Sequence, residues 1–266
     1  MVTDAGDIRL ASLRGLPGKY DYIAFVPQWD FLQLITSAAT RYPGFRLLMN
    51  AEAYDLIREG GAVRGLRYRD DSGEHELRAD LTVAADGRHS ALRERAGLVP
   101  EDLGAPMDVV WFRLPRHDTD RDDTFLRVSS GGMMVALDRL RRWHRPGFLC
   151  VGDAAHAMSP VFGVGINLAV QDAVAAANLL AGSLRSGAPI PESTLRLLQR
   201  RRMPPTRITQ AAQRVVQNRV IGPALKRRFD PSRLPRDLTR VPLLNRLTRR
   251  FLGLGVRPEH VKVKEL

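Results

Sequence analysis

The stretch Phe148–Ala181 constrains the fold of this chain more than any other part of its sequence. It begins with four apolar residues, Phe148–Val151, which have the length and composition of a buried β-strand. Gly152 and Asp153 end that run, and a glycine-containing loop then leads into a helical pattern that covers residues 166–183. The order of strand, acidic turn, loop and helix predicts a βα unit of an α/β sheet.

This unit has the chemistry of an edge that can receive a polar ligand. In open α/β sheets, ligands bind beyond the carboxyl ends of the strands, which is where Asp153 is expected. Gly163 and Gly165 would let backbone N–H groups approach a ligand, because neither residue carries a Cβ atom. The helix start favours a nearby anion by about 0.3–1 kcal/mol. On spacing alone, a plain βα unit with a glycine-rich turn explains the pattern equally well.

The residues of this stretch closely resemble the second FAD-binding motif of the flavoprotein aromatic hydroxylases, the NAD(P)H-using monooxygenases of the para-hydroxybenzoate hydroxylase type. The matching residues are Gly152-Asp153-Ala154-Ala155-His156, Pro160, Gly163, Gly165, Asn167 and Asp172-Ala173. The resemblance implies that Asp153, beside Gly152, binds the ribityl chain of FAD. It also implies a flavin-ring role for Pro160, Gly163, Gly165, Ile166 and Asn167.

A second motif lies upstream. The run Leu81–Ala85 predicts a buried strand, and Asp86-Gly87-Arg88 follows it and leads into a helix with Arg93. Alone, this pattern is typical of an Asp-Gly turn that ends a strand. Beside the first motif it resembles the Asp-Gly motif of the same family, which implies that Asp86 and Gly87 lie near the FAD and NAD(P)H pyrophosphates. Arg88 or Arg93 would then meet the phosphates.

One further candidate precedes both motifs. A helix is expected over about Trp29–Tyr42, and Gln28 stands at its start. The resemblance implies that a glutamine at this helix start contacts FAD, although a simple helix-start residue explains Gln28 equally well.

The fold class that we expect is α/β, a partial FAD/NAD(P)-binding Rossmann-like domain with an inserted β-rich substrate domain. The family opens with a GxGxxG unit, which this sequence lacks, so the chain is expected to begin after it. The interval between the two motifs is also shorter than in the family, near Leu137–Leu140. Four regions follow: residues 1–100, the rest of the FAD-binding domain with a β-meander; 101–145, a shortened substrate-domain sheet; 146–185, the second motif and its helix; 186–266, a basic helical region.

The remaining patterns predict individual elements. The strands of the meander are expected at residues 45–49, 53–58, 63–68 and 74–78, and those of the substrate domain at 107–114, 124–128 and 133–137. Two helices are expected at 193–203 and 206–220, separated by Pro204-Pro205, and a short amphipathic segment at 243–254.

Charge and cysteine content limit the class of protein. The net charge is +12, and 20 of the 41 basic residues lie from Arg185 onward. This basic region lacks interleaved aromatic residues, so nucleic-acid binding is not favoured. The one cysteine, Cys150, lies in an apolar run, which indicates a reducing, cytoplasmic compartment. No apolar segment is long enough to cross a membrane, and no histidine has metal-ligand spacing, so neither a membrane nor a metal is expected.

These observations lead to one main hypothesis and two alternatives. The main hypothesis is a monooxygenase that uses FAD, NADPH or NADH, and O2 to hydroxylate an aromatic or polyketide-like small molecule. Because the cofactor supplies the chemistry, no acid–base catalyst is assigned. The alternatives are a truncated, inactive flavoprotein fragment and a basic module that binds nucleic acid. An oligomer is compatible with all three.

Overall fold

The computed structural model describes residues 2–3, 6–7, 12–17, 20–22, 24, 26–103, 118–119, 138–159, 161–221 and 237–262. The strands expected for the substrate domain at 107–114, 124–128 and 133–137, and Pro160, lie outside the described residues. Ten short strands are described: β1 Val2–Thr3, β2 Gly6–Asp7, β3 Glu52–Glu59, β4 Ala62–Asp70, β5 Gly73–Arg78, β6 Thr82–Ala84, β7 Pro100–Asp102, β8 Asp138–Leu140, β9 His144–Arg145 and β10 Phe148–Cys150. The described α-helices are α1 Gln28–Ala39, α2 Ala91–Arg95, α3 Gly165–Ser186, α4 Glu192–Val216 and α5 Pro242–Gly253.

A three-stranded sheet in the order β6-β10-β9 lies at the centre of the core. β6 and β10 are parallel, with Thr82 opposite Phe148 and Ala84 opposite Cys150, while β9 pairs with β10 in the antiparallel direction. Every side chain of β10 is buried, as expected for a strand that is covered on both faces. The two strands predicted at the two motifs are therefore confirmed, and they are neighbours.

The meander predicted before the first of these strands is present as β3-β4-β5, an antiparallel sheet. Its turns fall at Gly60-Gly61 and Asp71-Ser72, where the sequence places hairpin residues. The additional strand predicted at Phe45–Met49 is wrong. Residues 41–50 are all exposed and form no strand, and an apolar run without a strand to pair with cannot satisfy its backbone groups in a ladder.

Gly147 joins the meander to the central sheet. Its φ of +71° is one that L-residues with a side chain rarely adopt, and a Cβ atom at this position would lie 2.0 Å from the carbonyl oxygen of Val63. Two backbone hydrogen bonds cross the same junction, from Val63 N–H to Pro146 O at 2.8 Å and from Thr82 N–H to Gly147 O at 3.0 Å. The tight Pro-Gly turn before β10 therefore sets the distance between the two sheets.

β7 and β8 form an antiparallel pair, with Pro100 opposite Leu140 and Asp102 opposite Asp138. This pairing brings together the two ends of the segment predicted as a substrate-domain insertion. The boundaries of the four predicted regions stay a prediction.

The long helix after the second motif is confirmed as α3, and α4 packs against it. The prediction of two helices separated at Pro204-Pro205 is wrong, because α4 runs through both prolines without a break. Buried residues lie on both sides of the pair, including Leu198, Arg202 and Thr209. Tertiary packing on both sides thus outweighs the loss of two helical N–H donors.

The exposed proline of this pair offers a test of that interpretation. Replacing Pro204 with alanine restores a backbone donor inside α4, so we expect the free energy of unfolding to rise by about 1–2 kcal/mol. Urea denaturation followed by circular dichroism measures the change. Pro205 is buried, and the matched Pro205→Ala variant should gain less because it also loses packing. A less stable Pro204→Ala variant would contradict the interpretation.

The predicted helix after Gln28 is confirmed as α1, although it ends at Ala39 rather than Tyr42. None of its side chains is buried, and Trp29 is 76% exposed. An apolar helix surface of this kind is a site for association or aggregation. Among the described residues, no helix is long and apolar enough to cross a membrane.

Candidate functional site

The parallel pairing of β6 with β10 places the two motifs at one edge of the central sheet. Ala84 and Cys150 are partners at the ends of the two strands, so Asp86 and Asp153 both follow the carboxyl ends of neighbouring strands. Asp86 is exposed, whereas Asp153 is half-buried in a single 3₁₀ turn, Gly152–Ala154. This is the edge at which open α/β sheets bind ligands.

Arg93 ties the two loops together. It is only 4% exposed, and its guanidinium donates to Ala154 O at 3.2 Å and to Arg88 O at 2.7 Å. Ser90 caps the short helix α2, because its hydroxyl oxygen accepts a hydrogen bond from the backbone N–H of Arg93 at 3.1 Å. This bond holds the backbone from which the Arg93 side chain extends. These contacts hold the Arg93 side chain in place, and the expectation that Arg88 or Arg93 meets phosphates stays a prediction. Arg88 is half-buried, and its own role stays a prediction.

The loop 152–156, which contains Asp153, is held from below by a carboxylate. Asp172 of α3 is fully buried, and its Oδ2 accepts a hydrogen bond from Gly152 N–H at 3.2 Å. The same oxygen lies 2.6 Å from His156 Nε2, while Oδ1 accepts from Arg202 Nε at 2.8 Å. His156 is also fully buried and packs against the ring of Trp143, with 4.9 Å between the ring centroids.

Sequence reasoning missed this network. Asp172 and His156 were recognised only as parts of a motif, and Arg202 has no local signal because it lies 30 residues away on another helix. Arg202 also lies two residues before Pro204-Pro205, where a helix end is expected, so the sequence does not predict a buried position for it. A signal was present in the arginine-rich run at the predicted end of a helix, but it does not identify a partner.

The charges around the site affect two groups in opposite directions. Burial alone would raise the pKa of Asp172, but the charges of His156 and Arg202 and their hydrogen bonds outweigh it and keep that pKa below its ordinary value. Burial raises the pKa of the Cys150 thiol to about 12, with a further contribution from the charge of Asp86. Cys150 is therefore an inert core residue and not a nucleophile.

The start of α3 lies open beside these loops. Gly163 has a φ of +62°, and a Cβ atom added there would meet no other atom within 4 Å. Ile166 and Asn167 of the first turn are exposed, Gly165 is half-buried, and no side chain caps the helix start. Val164 is buried and anchors this turn in the core. An uncapped helix start with open glycine backbone next to it can receive a polar or anionic group.

Two predicted site residues are not placed with the others. Pro160 lies outside the described residues. Gln28 is exposed at the first position of α1, and no hydrogen bond among the described residues joins it to either loop. The described part of the chain also contains no group of three or more His, Cys, Asp or Glu residues that could hold a metal ion.

The chain matches a protein family described as FAD binding domain. It matches in two segments, residues 4–136 and 132–211, which together include both loops and α3. The segments meet at residues 132–136, just before the region where the sequence predicts a shortened interval.

Similar proteins give a consistent pattern. The 6-methylpretetramide 4-monooxygenase of Streptomyces rimosus is 28% identical over 268 residues, covering 78% of this chain and 64% of that protein. Among solved structures, the anhydrotetracycline hydroxylase OxyS from Streptomyces rimosus has a TM-score of 0.66 at 21% identity, covering 92% of this chain and 60% of that one. A ternary complex of aklavinone-11 hydroxylase with FAD and aklavinone has a TM-score of 0.55 at 19% identity, covering 76% and 49%. This chain thus spans less than two thirds of the length of each of these three proteins.

Proposed function

Because this chain belongs to the FAD binding domain family, we propose that it is the core of a FAD-dependent monooxygenase that hydroxylates aromatic, polyketide-type small molecules. One observation carries the proposal: Asp86 and Asp153 follow adjacent parallel strands, and Arg93 ties their two loops together beside the open start of α3. An α/β sheet with two acidic loops at one carboxyl edge suits a long cofactor with hydroxyl, phosphate and ring groups.

The residues at this edge fit FAD. Asp153 is half-buried and has the carboxylate needed to accept hydrogen bonds from ribityl hydroxyl groups. The uncapped start of α3, with Gly163, Gly165 and Asn167, would receive the pyrimidine side of the flavin, where a helix N-terminus stabilises negative charge. Asp86 and Gly87 would hold the region of the ribose and pyrophosphate. When bound, FAD supplies the redox chemistry that activates O2, and the protein binds and orients the cofactor.

The substrate class is taken from the names of the similar proteins. One matching protein is a 6-methylpretetramide monooxygenase, and others are hydroxylases of anhydrotetracycline and aklavinone. We therefore propose a fused-ring aromatic substrate, O2 as the second substrate and NADPH or NADH as the reductant. The single buried Cys150 supports a cytoplasmic site of action.

Flavin absorbance of the purified chain tests the proposal directly. With added FAD we expect a bound flavin band, and we expect Asp153→Ala to weaken FAD binding by about tenfold or more, because a charged acceptor of ribityl hydroxyl groups is lost. Titration of FAD fluorescence gives the Kd of both proteins. Asp71→Ala, which removes an exposed aspartate in the β4–β5 turn, is the matched control and should bind like the wild type.

The outcomes separate the alternatives. Wild-type protein that binds FAD and oxidises NAD(P)H in the presence of an anhydrotetracycline-type substrate supports an active enzyme. Binding without NADPH or NADH oxidation would indicate an inactive flavoprotein. A folded chain that ignores FAD, or an Asp153→Ala variant with unchanged affinity, would remove the assignment of this edge as the cofactor site.

A further inference from the structure

A buried carboxylate beneath the loop 152–156 has no part in the chemistry proposed above. The side chains of Asp172, His156 and Arg202 are all fully buried, and the three are linked through the two carboxylate oxygens. Removing such charges from water is costly, and a buried ion pair is often no more stabilising than apolar residues of the same volume. A gain in stability is therefore a weak explanation for this network.

The two oxygens of Asp172 serve two different elements. Oδ2 faces the loop 152–156, where it accepts from Gly152 N–H and meets His156 Nε2. Oδ1 faces α4, where it accepts from Arg202 Nε. Asp153 follows Gly152 directly, so the Oδ2 contacts hold the backbone just before the proposed ribityl ligand and the imidazole ring at the end of the same loop. Because the two oxygens face different elements, a side chain with one acceptor oxygen in this position reaches either the loop or Arg202.

Arg202 is held in turn by the C-terminal segment. Its guanidinium donates to Arg257 O at 3.3 Å and lies 3.8 Å from Glu259 Oε1. Glu259 also accepts two hydrogen bonds from Arg201, at 2.6 and 2.7 Å. The oxygen of Asp172 that faces α4 therefore meets a cation whose position is fixed from two sides.

We infer that Asp172 is a positioning residue for FAD: through Gly152 N–H and His156 it sets the backbone geometry of the loop 152–156, which presents Asp153 to the ribityl chain. This inference rests on the proposed function. It assigns to Asp172 no contact with the cofactor and no proton transfer.

Asp172→Asn is the first variant. It leaves one acceptor oxygen, for which the charged donor of Arg202 competes against the uncharged Gly152 N–H, and a charged donor makes the stronger hydrogen bond. The amide NH2 then turns towards Gly152 N–H, and two donors face each other. We expect the backbone amides of residues 149–158 to exchange with deuterium about tenfold faster in the FAD-free protein, and the Kd for FAD to rise about tenfold.

A second substitution should reverse the effect. In Asp172→Asn/Arg202→Met the competing donor is gone, so the remaining oxygen can return to Gly152 N–H, and we expect exchange and Kd to recover most of the way. Leu180→Ala, eight residues further along α3 and also buried, is the control for lost packing. It should lower the Tm without changing exchange in residues 149–158 or the Kd. If Asp172→Asn alone fails to fold, Asp172→Ala/Arg202→Met, which lacks the oxygen, replaces it in the comparison.

The exchange rates and the Kd values test whether Asp172 positions the loop 152–156. Faster exchange confined to the variants that lack a free oxygen for Gly152 supports the inference. Wild-type exchange in Asp172→Asn, or an equal increase in Leu180→Ala, would overturn it. If the wild-type chain does not bind FAD, the cofactor step of the proposed function fails, while the exchange measurement on the FAD-free protein still shows whether Asp172 sets this loop.

Discussion

Replacing Gly147 with alanine should lower the free energy of unfolding by about 4 kcal/mol or more. The new methyl group would lie 2.0 Å from the carbonyl oxygen of Val63, and the backbone would keep a φ of +71° that disfavours any Cβ atom. Both obstacles occur where the meander meets the central sheet, so relief of the clash would have to separate β4 from the turn before β10. Chemical denaturation measures the loss, and we expect reduced cooperativity as well as a lower midpoint.

A glycine of the opposite kind serves as the control for Gly147→Ala. Gly182 lies inside α3, and an added Cβ atom would meet nothing within 4 Å. Gly182→Ala should therefore stabilise the protein by about 0.5–1 kcal/mol through the helix propensity of alanine. A Gly147→Ala protein that is as stable as Gly182→Ala would show that the two sheets are not joined at this turn.

The second large effect concerns the cation of the buried network. Arg202→Met removes the donor to Asp172 Oδ1 and leaves a buried carboxylate with part of its charge uncompensated. Breaking one side of such a pair costs about 3–5 kcal/mol at neutral pH. Urea denaturation at pH 7 tests this value, and Arg201→Met is the matched control, because Arg201 is partly exposed and pairs with Glu259 rather than with Asp172. Equal losses of stability in Arg202→Met and Arg201→Met would contradict the conclusion that Arg202 compensates the buried charge of Asp172.

The cost of Arg202→Met should also depend on pH in a defined direction. The pKa of Asp172 is below its ordinary value in the folded protein, so its contribution is fully present above the unfolded value of about 3.9 and is lost as pH falls through the folded value. Arg202→Met removes one of the cations that lower this pKa, so the variant protonates Asp172 at a higher pH than the wild type. The difference in stability between the two proteins should therefore narrow as the pH falls from the folded pKa of Asp172 in the variant to its lower folded pKa in the wild type. A difference that widens in acid would show that another group controls it.

The parts of the fold that the sequence predicted correctly depend on short-range patterns. Apolar runs predict the strands at the two motifs, turn residues predict the meander, and helical periodicity predicts α3. The α/β class follows from the same stretches, and the resemblance of their motifs to a known family indicated the FAD-binding family, which the family match confirms.

The errors arose where distant residues decide the outcome. Pro204-Pro205 is a helix end by every local rule, yet buried contacts on both sides carry α4 through it. Phe45–Met49 has the composition of a strand, yet its side chains are exposed and its backbone pairs with no neighbouring strand among the described residues. The two carbonyl groups that Arg93 binds are likewise set by tertiary structure and have no signal in the sequence.

The candidate site shows the same division. The residues that we propose to face the cofactor could be named from their motifs, whereas the buried network that supports them could not. Asp172 and Arg202 come from different helices, and Glu259 comes from a segment without regular secondary structure. A single sequence contains no periodicity that connects these three positions.

The parallel pairing of β6 with β10 has a consequence for the order of events during synthesis. Thr82 emerges from the ribosome well before its partner Phe148, so this pair closes a loop of more than sixty residues, a slow step in folding. Asp172 is also synthesised before its partner Arg202, and Arg202 before its partner Glu259. The Asp-Gly motif after β6 is therefore synthesised long before β10 and the buried network that stabilise the site. During that interval β6 is unpaired and can form non-native contacts or aggregate.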